Sequence, residues 1–185
     1  MREISDHLLM LAVRDGNLDK MGLLFEKYHR QLYNFFRKQV ADPLLCEDLV
    51  QEVFLKMLKY RHTYRGESKF TTWMYSIAHN ARIDYFRKAK NRQDFSGEID
   101  QLVSTQPNPE ELSERSSRHE VLYRALHSLS DDKREVLILS RFQNLKYEEI
   151  SQILGCAVGT VKARVFHAMR DLKTFFNEQR DEATS

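Results

Sequence analysis

The sequence predicts an all-α protein made of two small helical domains joined by a flexible acidic linker. Apolar residues recur every three or four positions in both halves of the 185-residue chain, a spacing typical of amphipathic helices. Six glycines and three prolines are too few for the many tight turns of a β-rich fold. We therefore predict domains at residues 1–93 and 118–177, a linker at 94–117 and a polar tail at 178–185.

Four helices are predicted in the first domain. A short helix carries the apolar residues between Leu8 and Val13 and stops at Gly16. A long amphipathic helix follows from Leu18 to Phe36, and two more run from about Leu44 to Tyr60 and from about Thr71 to Lys90. Four helices of this length can enclose one core.

The second domain is predicted to hold a helix near residues 119–129 and another from Asp131 to Phe142, with Ser130 as its N-cap. Two shorter helices follow Asn144, and the first of them spans Tyr147 to Leu154. Their spacing is that of a helix-turn-helix.

Gly155 stands where a helix must end in a left-handed residue, and the apolar pattern resumes at Val158, so a second helix begins near Gly159. A helix-turn-helix presents this second helix to the major groove of duplex DNA. Its outward positions carry groups suited to phosphates and base edges: Thr160, Lys162, Ala163, Arg164, Phe166, His167 and Arg170. The alternative is an ordinary helical hairpin with a basic, solvated face.

The net charge of +2 hides an uneven distribution. Residues 82–92 carry five basic side chains and one acidic one, and residues 159–173 carry four and one. Residues 94–120, between them, carry seven acidic and two basic side chains and include two of the three prolines. Two basic surfaces therefore flank an acidic linker, although each basic stretch alone also fits a solvated helix face.

Aromatic and basic residues are interleaved before and within the fourth predicted helix. Flat rings can stack on unpaired bases while cations hold the phosphates, as in proteins that bind a single strand. The residues concerned are Tyr64, Phe70, Trp73, Tyr75, Tyr85 and Phe86, beside Lys69, Arg82, Arg87 and Lys88. Trp73 shares a helical spacing with Ile77 and Ala81, which leaves a core-facing position open for it.

The third predicted helix has an apolar and a polar face. The apolar residues that face inward are Leu45, Leu49, Val53 and Met57. Another face holds Asp48, Gln51, Glu52 and Leu55. Alone, this pattern is that of an ordinary amphipathic helix.

The order of the motifs is more specific than any one of them. DLVQEVF is followed by FTTWMYSIAHNARIDYFRK, then by the acidic linker and the helix-turn-helix. In this order and spacing the chain resembles the small, two-domain sigma factors of bacterial RNA polymerase, of the extracytoplasmic-function type. The likeness runs from about Asp19 to Leu172.

This resemblance implies a protein that directs the polymerase core, through its β and β′ subunits, to promoters and assists their opening. The residues matching those that bind the β′ clamp helices are Asp48, Gln51, Glu52 and Phe54. Those matching contacts to the single strand of the -10 element are Tyr64, Lys69, Phe70, Trp73, Tyr75, Asn80 and Arg82. Those matching contacts to the -35 duplex are Thr160, Lys162, Arg164, Phe166, His167 and Arg170.

The resemblance further implies that the acidic linker threads toward the RNA exit path and that an anti-sigma factor masks the binding surfaces. Three residues depart from the family pattern. Lys146 replaces a serine or threonine helix cap and Ser151 replaces an alanine, and both are expected to weaken local packing slightly. His167 stands where arginine is common, so one -35 contact is expected to differ.

Two other classes of protein compete with this interpretation. A helix-turn-helix regulator that binds duplex DNA without being a polymerase subunit explains residues 147–170, but it gives DLVQEVF no role. An enzyme acting on nucleic acid would need acid-base partners such as His79 and Asp84, whose five-residue separation turns them away from a common helix face. We therefore expect no catalytic activity.

We expect the protein to bind no metal or cofactor and not to insert into a membrane. Cys46 and Cys156 have no CxxC or HExxH spacing around them, so we interpret them as packing residues. No stretch approaches the roughly 20 apolar residues that cross a bilayer, and the start MREISDH lacks the apolar core of a signal peptide. We expect a cytoplasmic protein without membrane insertion.

Overall fold

The computed structural model describes residues 5–96 and 114–182, and the side chains of residues 5–91 and 120–180. All regular secondary structure in these ranges is helical, which confirms the all-α class. The chain divides into two compact units. Most of the linker predicted at 94–117 lies outside the described residues, so its character stays a prediction.

The first unit contains the four predicted helices. They are α1 (Asp6–Arg14), α2 (Lys20–Arg37), α3 (Pro43–Lys59) and α4 (Phe70–Ser96), with a 3₁₀ turn at Arg61–Thr63. The second helix begins later than the apolar pattern indicates, because Leu18 still lies in the turn that precedes α2. The fourth runs past its predicted end near Lys90.

Side-chain caps fix the starts of two helices in this unit. Ser5 Oγ accepts a hydrogen bond from the backbone N–H of Leu8 at 3.4 Å, before α1. Asp42 Oδ1 accepts from the N–H of Leu44 at 2.9 Å, and Pro43 occupies the first position of α3, where no N–H partner is needed. The cap and the proline together place the start of α3 at Pro43.

The core of the first unit draws on all four helices. Its largest deeply buried side chains include Met10, Leu24, Leu32, Phe35, Phe36, Leu49, Met57, Met74 and Tyr75. The four residues of α3 predicted to face inward are all buried. Phe25 of α2, which shares the same periodicity, is instead 42% exposed and packs on His29 and Phe54 at the edge of the apolar stripe.

The second unit also has four helices. They are α5 (Glu114–His127), α6 (Asp131–Leu137), α7 (Tyr147–Leu154) and α8 (Val158–Glu182), with a π-helical turn at Ile138–Phe142. The single helix predicted from Asp131 to Phe142 therefore changes form partway, and the N–H of Gln143 closes the turn on Ile138 O at 3.1 Å. The helix α8 continues through most of the residues predicted as a polar tail.

A buried arginine ties α6 to the end of α5. Arg134 donates to the carbonyl oxygens of Leu126, His127 and Leu129 at 2.9, 3.1 and 2.8 Å. These carbonyls lie at and just beyond the carboxyl end of α5, where backbone acceptors lack helical partners and a positive charge is favourable. Around this link the small apolar core contains Ala125, Leu126, Leu129, Leu137, Ala168 and Leu172.

Among the described helices, none is both long enough and apolar enough to span a membrane.

Candidate nucleic-acid and protein interfaces

The turn between α7 and α8 has the geometry of a helix-turn-helix. Gly155 adopts the predicted left-handed conformation, with φ 62° and ψ 35°. The hydroxyl of Ser151 donates to the carbonyl of Cys156 at 2.6 Å, and the N–H of Cys156 donates back to Ser151 O at 3.2 Å. The sequence predicted weaker packing at Ser151, whereas the structure shows its hydroxyl closing the turn.

The start of α7 compensates in part for its missing cap. Lys146 occupies the N-cap position, and its side chain carries no acceptor for the orphan N–H groups. Glu149 reaches back and accepts from the Lys146 backbone N–H at 2.7 Å. Half of a capping box therefore remains.

The second helix of the motif separates its apolar and polar faces cleanly. Val161, Val165 and Ala168 are buried at 0–4% exposure. The side chains predicted to contact the -35 duplex all reach the surface, with Phe166 exposed by 66%; they are Thr160, Lys162, Arg164, Phe166, His167 and Arg170. Their contact with DNA stays a prediction.

Two ion pairs connect this helix to α6. Arg164 Nη2 lies 2.6 Å from Asp132 Oδ2, and Lys133 Nζ lies 2.7 Å from Asp171 Oδ2. The hydrogen bond from Lys133 holds the pKa of the Asp171 carboxyl below its ordinary value. Neither pair follows from the sequence pattern, since 32 and 38 residues separate the partners.

The loop before α4 is packed inward rather than open. The Tyr64 ring is 1% exposed, contacts Phe70 and Trp73, and its hydroxyl lies 3.0 Å from His7 Nδ1. Gly66 has φ 78°, and a Cβ there would lie 2.4 Å from His7 Cε1. The helix α1 therefore abuts this loop closely.

Among the residues predicted to contact the -10 strand, the structure divides exposed from buried ones. Lys69 and Asn80 are exposed and Trp73 is partly exposed. Four others are buried at 8% exposure or less: Tyr64, Phe70, Tyr75 and Arg82. Of the buried members, Tyr64 and Phe70 pack against the ring of Trp73.

Tyr75 is the clearest of these cases. Its ring is completely buried and its centroid lies 5.0 Å from that of Phe35. Burial raises the pKa of its hydroxyl, which forms a hydrogen bond with Gln31. The structure does not place this ring where a base could stack on it, so its role in this conformation is to support α4 from inside.

The exposed aromatic residues of α4 lie further along the helix. Tyr85 and Phe86 are 38% and 41% exposed, with Arg87 and Lys88 next in sequence. These rings belong to the interleaved aromatic and basic stretch, yet the resemblance implies no contact for them. Positions 85 and 86 continue the helical period of the buried Ala78, Ala81 and Arg82, so this period alone does not predict their exposure.

The polar face of α3 is open to solvent. Asp48 and Gln51 are exposed, and Glu52 lies 3.8 Å from Lys56 of the same helix. Lys56 also bridges to Asp84 of α4 at 2.7 Å, and that hydrogen bond lowers the pKa of the Asp84 carboxyl. Glu52 therefore belongs to a charge network that joins two helices.

Phe54, the fourth predicted polymerase contact, is buried rather than exposed. It is 6% exposed, and its ring centroid is 4.9 Å from that of Phe25. Leucines take the outward positions on this helix, since Leu44 and Leu55 are 71% and 62% exposed.

A groove of about 450 Å³ runs between α2 and α3 beside this polar face. It combines aromatic and polar walls and includes one of the residues predicted to bind polymerase. Its lining residues are Phe25, His29, Arg30, Tyr33, Asn34, Glu47, Val50 and Gln51.

Neither cysteine is built into a ligand set among the described residues, where no group of three or more His, Cys, Asp or Glu side chains could hold a metal ion. Cys46 is buried, and burial raises the pKa of its thiol to about 11. Cys156 is half-buried in the turn before α8.

Two family models match the chain, one over helices of the first unit and one over helices of the second. Sigma-70 region 2 matches residues 24–92, from α2 into α4, and Sigma-70 region 4 matches residues 119–172, from α5 into α8. The match therefore includes the face of α3, the loop and helix that follow it, and the helix-turn-helix.

Relatives align over nearly the whole chain. RNA polymerase sigma factor YlaC of Bacillus subtilis is 31% identical over 166 residues, which cover 89% of this chain and 96% of the relative. The ECF RNA polymerase sigma-E factor of Escherichia coli is 30% identical over 176 residues, which cover 90% of this chain and 91% of the relative.

Solved structures share the fold. Sigma factor RpoE of Bartonella quintana, in complex with the anti-sigma factor NepR, has a TM-score of 0.70 at 26% identity over 84% of this chain and 96% of that chain. CnrH, in complex with the cytosolic domain of CnrY, has a TM-score of 0.71 at 20% identity, over 95% of this chain and 99% of that chain. At this identity the likeness shows the fold alone.

The chain belongs to the sigma-70 family of RNA polymerase sigma factors, as one of its extracytoplasmic-function members. It directs the polymerase core to promoters and binds promoter DNA. The family consists of polymerase subunits rather than enzymes, and a free-standing helix-turn-helix regulator is not favoured.

Proposed function

We propose that this sigma factor divides promoter recognition among three surfaces. The polar face of α3 binds the β′ clamp helices, the exposed side of the loop and α4 holds the -10 strand, and the outward face of α8 contacts the -35 duplex. The observation that carries the proposal is that each matched motif keeps an exposed polar face over a buried apolar one. The protein acts in the cytoplasm, together with the polymerase, and has no catalytic chemistry of its own.

On α3, we assign direct polymerase contact to Asp48, Gln51 and Glu52. The first two are exposed, and Glu52 is partly so. Phe54 supports this face from below by packing on Phe25. Leu44 and Leu55, at either end of the polar patch, add exposed apolar surface beside it.

On the loop and α4, we assign contact with the -10 strand to Lys69, Trp73 and Asn80. Lysine offers a point charge to phosphates, the partly exposed indole offers an edge for stacking, and the carboxamide can hydrogen-bond a base edge. Tyr64 and Phe70 pack against Trp73 and hold its ring in place. Tyr75 and Arg82 stabilise the helix from inside.

On α8, the six outward residues supply the -35 contacts. Thr160 and Lys162 lie near the amino end of α8, the part of a recognition helix that lies closest to base edges. Arg164 is half-way along the face, and Arg170 lies further on, where a cation suits the phosphate backbone. Phe166 and His167 add ring surface for thymine methyl groups or sugars.

An anti-sigma factor is the fourth partner that we propose. RpoE of Bartonella quintana was solved in complex with NepR, at 26% identity to this chain. The groove between α2 and α3, with its aromatic wall, lies next to the polymerase face, so a protein bound there would block access to polymerase. One surface would then serve either partner but not both at once.

Run-off transcription tests the proposal. Purified core polymerase is given a promoter library with and without the chain, and the chain alone is tested for binding to the selected duplexes. We expect promoter-specific transcripts only with the chain, and weak duplex binding by the chain alone. Tight duplex binding without polymerase, with no transcript in its presence, would instead indicate a helix-turn-helix regulator.

A further inference from the structure

Arg164, on the outward side of α8, forms an ion pair with a carboxylate from another helix. Its Nη2 atom lies 2.6 Å from Oδ2 of Asp132, in the first turn of α6. The side chain of Arg164 is 31% exposed and that of Asp132 is 66% exposed. The pair therefore lies at the rim of the face that we assign to the -35 duplex.

Asp132 is itself firmly placed. An acidic residue in the first turn of a helix is favoured by the positive end of the helix dipole. The next residue, Lys133, pairs with Asp171 of α8 at 2.7 Å, which gives a second link between the two helices. Val136 and Leu137 of α6 are buried, so the carboxylate stands on an anchored helix beside α8.

The carboxylate of Asp132 affects a phosphate contact at Arg164 differently from a base-edge contact. A guanidinium has five N–H donors in a rigid fork, and the one close contact to Asp132 leaves others available. A phosphate brought to Arg164 comes close to the negative charge of Asp132, which repels it. A base edge presents neutral acceptors, which are repelled far less.

We propose that Asp132 is a specificity-determining residue for -35 recognition, acting as a positioning residue through Arg164. It orients the guanidinium toward a base edge and makes the same group a poorer ligand for the phosphates of unrelated DNA. This inference rests on the proposed role of α8 and adds to it a residue outside the recognition helix.

Competition binding with holoenzyme tests the inference. Core polymerase is assembled with the wild-type chain or with Asp132→Asn, and promoters substituted one base pair at a time at the -35 element compete against a duplex of unrelated sequence. Asp131→Asn is the matched control. The Asp131→Asn substitution makes the same charge change one residue away. Asp131 is 69% exposed and pairs with Arg134 of its own helix at 3.3 Å.

We expect Asp132→Asn to tighten binding to unrelated duplex about two- to fivefold, the range expected for an exposed ion pair, and to reduce the preference at one or two adjacent -35 base pairs. Asp131→Asn should change binding to all duplexes by a uniform factor. Asp132→Glu, which keeps a carboxylate, should retain most of the preference. In an Arg164→Ala chain, adding Asp132→Asn should leave the base preferences unchanged.

The inference is overturned if Asp132→Asn and Asp131→Asn give the same profile across the -35 element. It is also overturned if Asp132→Asn alters base preference in the absence of Arg164. A wild-type holoenzyme that distinguishes no -35 base pair would overturn the proposed role of α8 itself, so the two failures are distinguishable.

Discussion

Replacing Tyr75 with alanine is expected to destabilise the first unit rather than to remove a contact with a base. The ring is completely buried, and its centroid lies 5.0 Å from that of Phe35. Truncation of a buried aromatic side chain to alanine costs about 3–5 kcal/mol, because apolar burial is lost and a cavity remains. In a unit of this size that cost corresponds to a fall in Tm of roughly 15–30 °C.

Tyr75→Phe is the matched variant, because it keeps the ring and loses only the hydrogen bond with Gln31. Its expected cost is about 0.5–1.5 kcal/mol. Thermal melting by circular dichroism is measured beside permanganate reactivity of the promoter in holoenzyme complexes. We expect Tyr75→Phe to open promoters nearly as well as the wild type. A Tyr75→Ala chain that melts like the wild type but fails to open promoters would refute this reasoning.

Three other variants test the surfaces of α3 and α4 and the loop before α4. Asp48→Ala combined with Gln51→Ala should weaken binding to core polymerase by more than about 1 kcal/mol while the Tm stays unchanged, since both side chains are exposed; undiminished capture of core polymerase in a pull-down would contradict the assignment. Asn80→Ala should leave closed complexes unchanged and reduce permanganate-reactive open complexes on linear promoters. A template already mismatched at the -10 region should restore part of the activity, because its strands are separated in advance. If that template restores no activity, Asn80 has a role other than strand capture. Gly66→Ala should lower the free energy of unfolding by about 1 kcal/mol or more, because φ is 78° and the new Cβ would lie 2.4 Å from Cε1 of His7 in α1. An unchanged Tm would show that the loop and α1 can move apart at little cost.

The helices and the turn of the helix-turn-helix could be predicted from local sequence. The apolar period sets each helix, and Gly155 is the residue type that a left-handed helix end requires. Helix ends were less predictable. The change to π-helical form at Ile138–Phe142 is a departure that the apolar pattern does not encode.

The division of the aromatic residues into buried and exposed ones could not be predicted. A ring beside a lysine has the same local sequence whether it packs inward or faces solvent, and only the neighbouring helices decide between the two. Tyr64 and Tyr75 are buried because α1 and α2 cover them, through His7 and Phe35 respectively. The same limit hid the ion pair of Arg164, whose partner lies 32 residues earlier in the chain.

The measurement that tests the central claim most directly is promoter binding by holoenzyme as a function of salt, with Lys162→Ala and Arg164→Ala chains. If α8 reads the -35 duplex as proposed, loss of a phosphate contact at Lys162 lowers the slope of log affinity against log salt by about 1. Loss of a base contact at Arg164 costs roughly 1–3 kcal/mol and relaxes the preference at its base pair. If both variants keep the affinity, the salt slope and the base preferences of the wild type, α8 does not read the promoter.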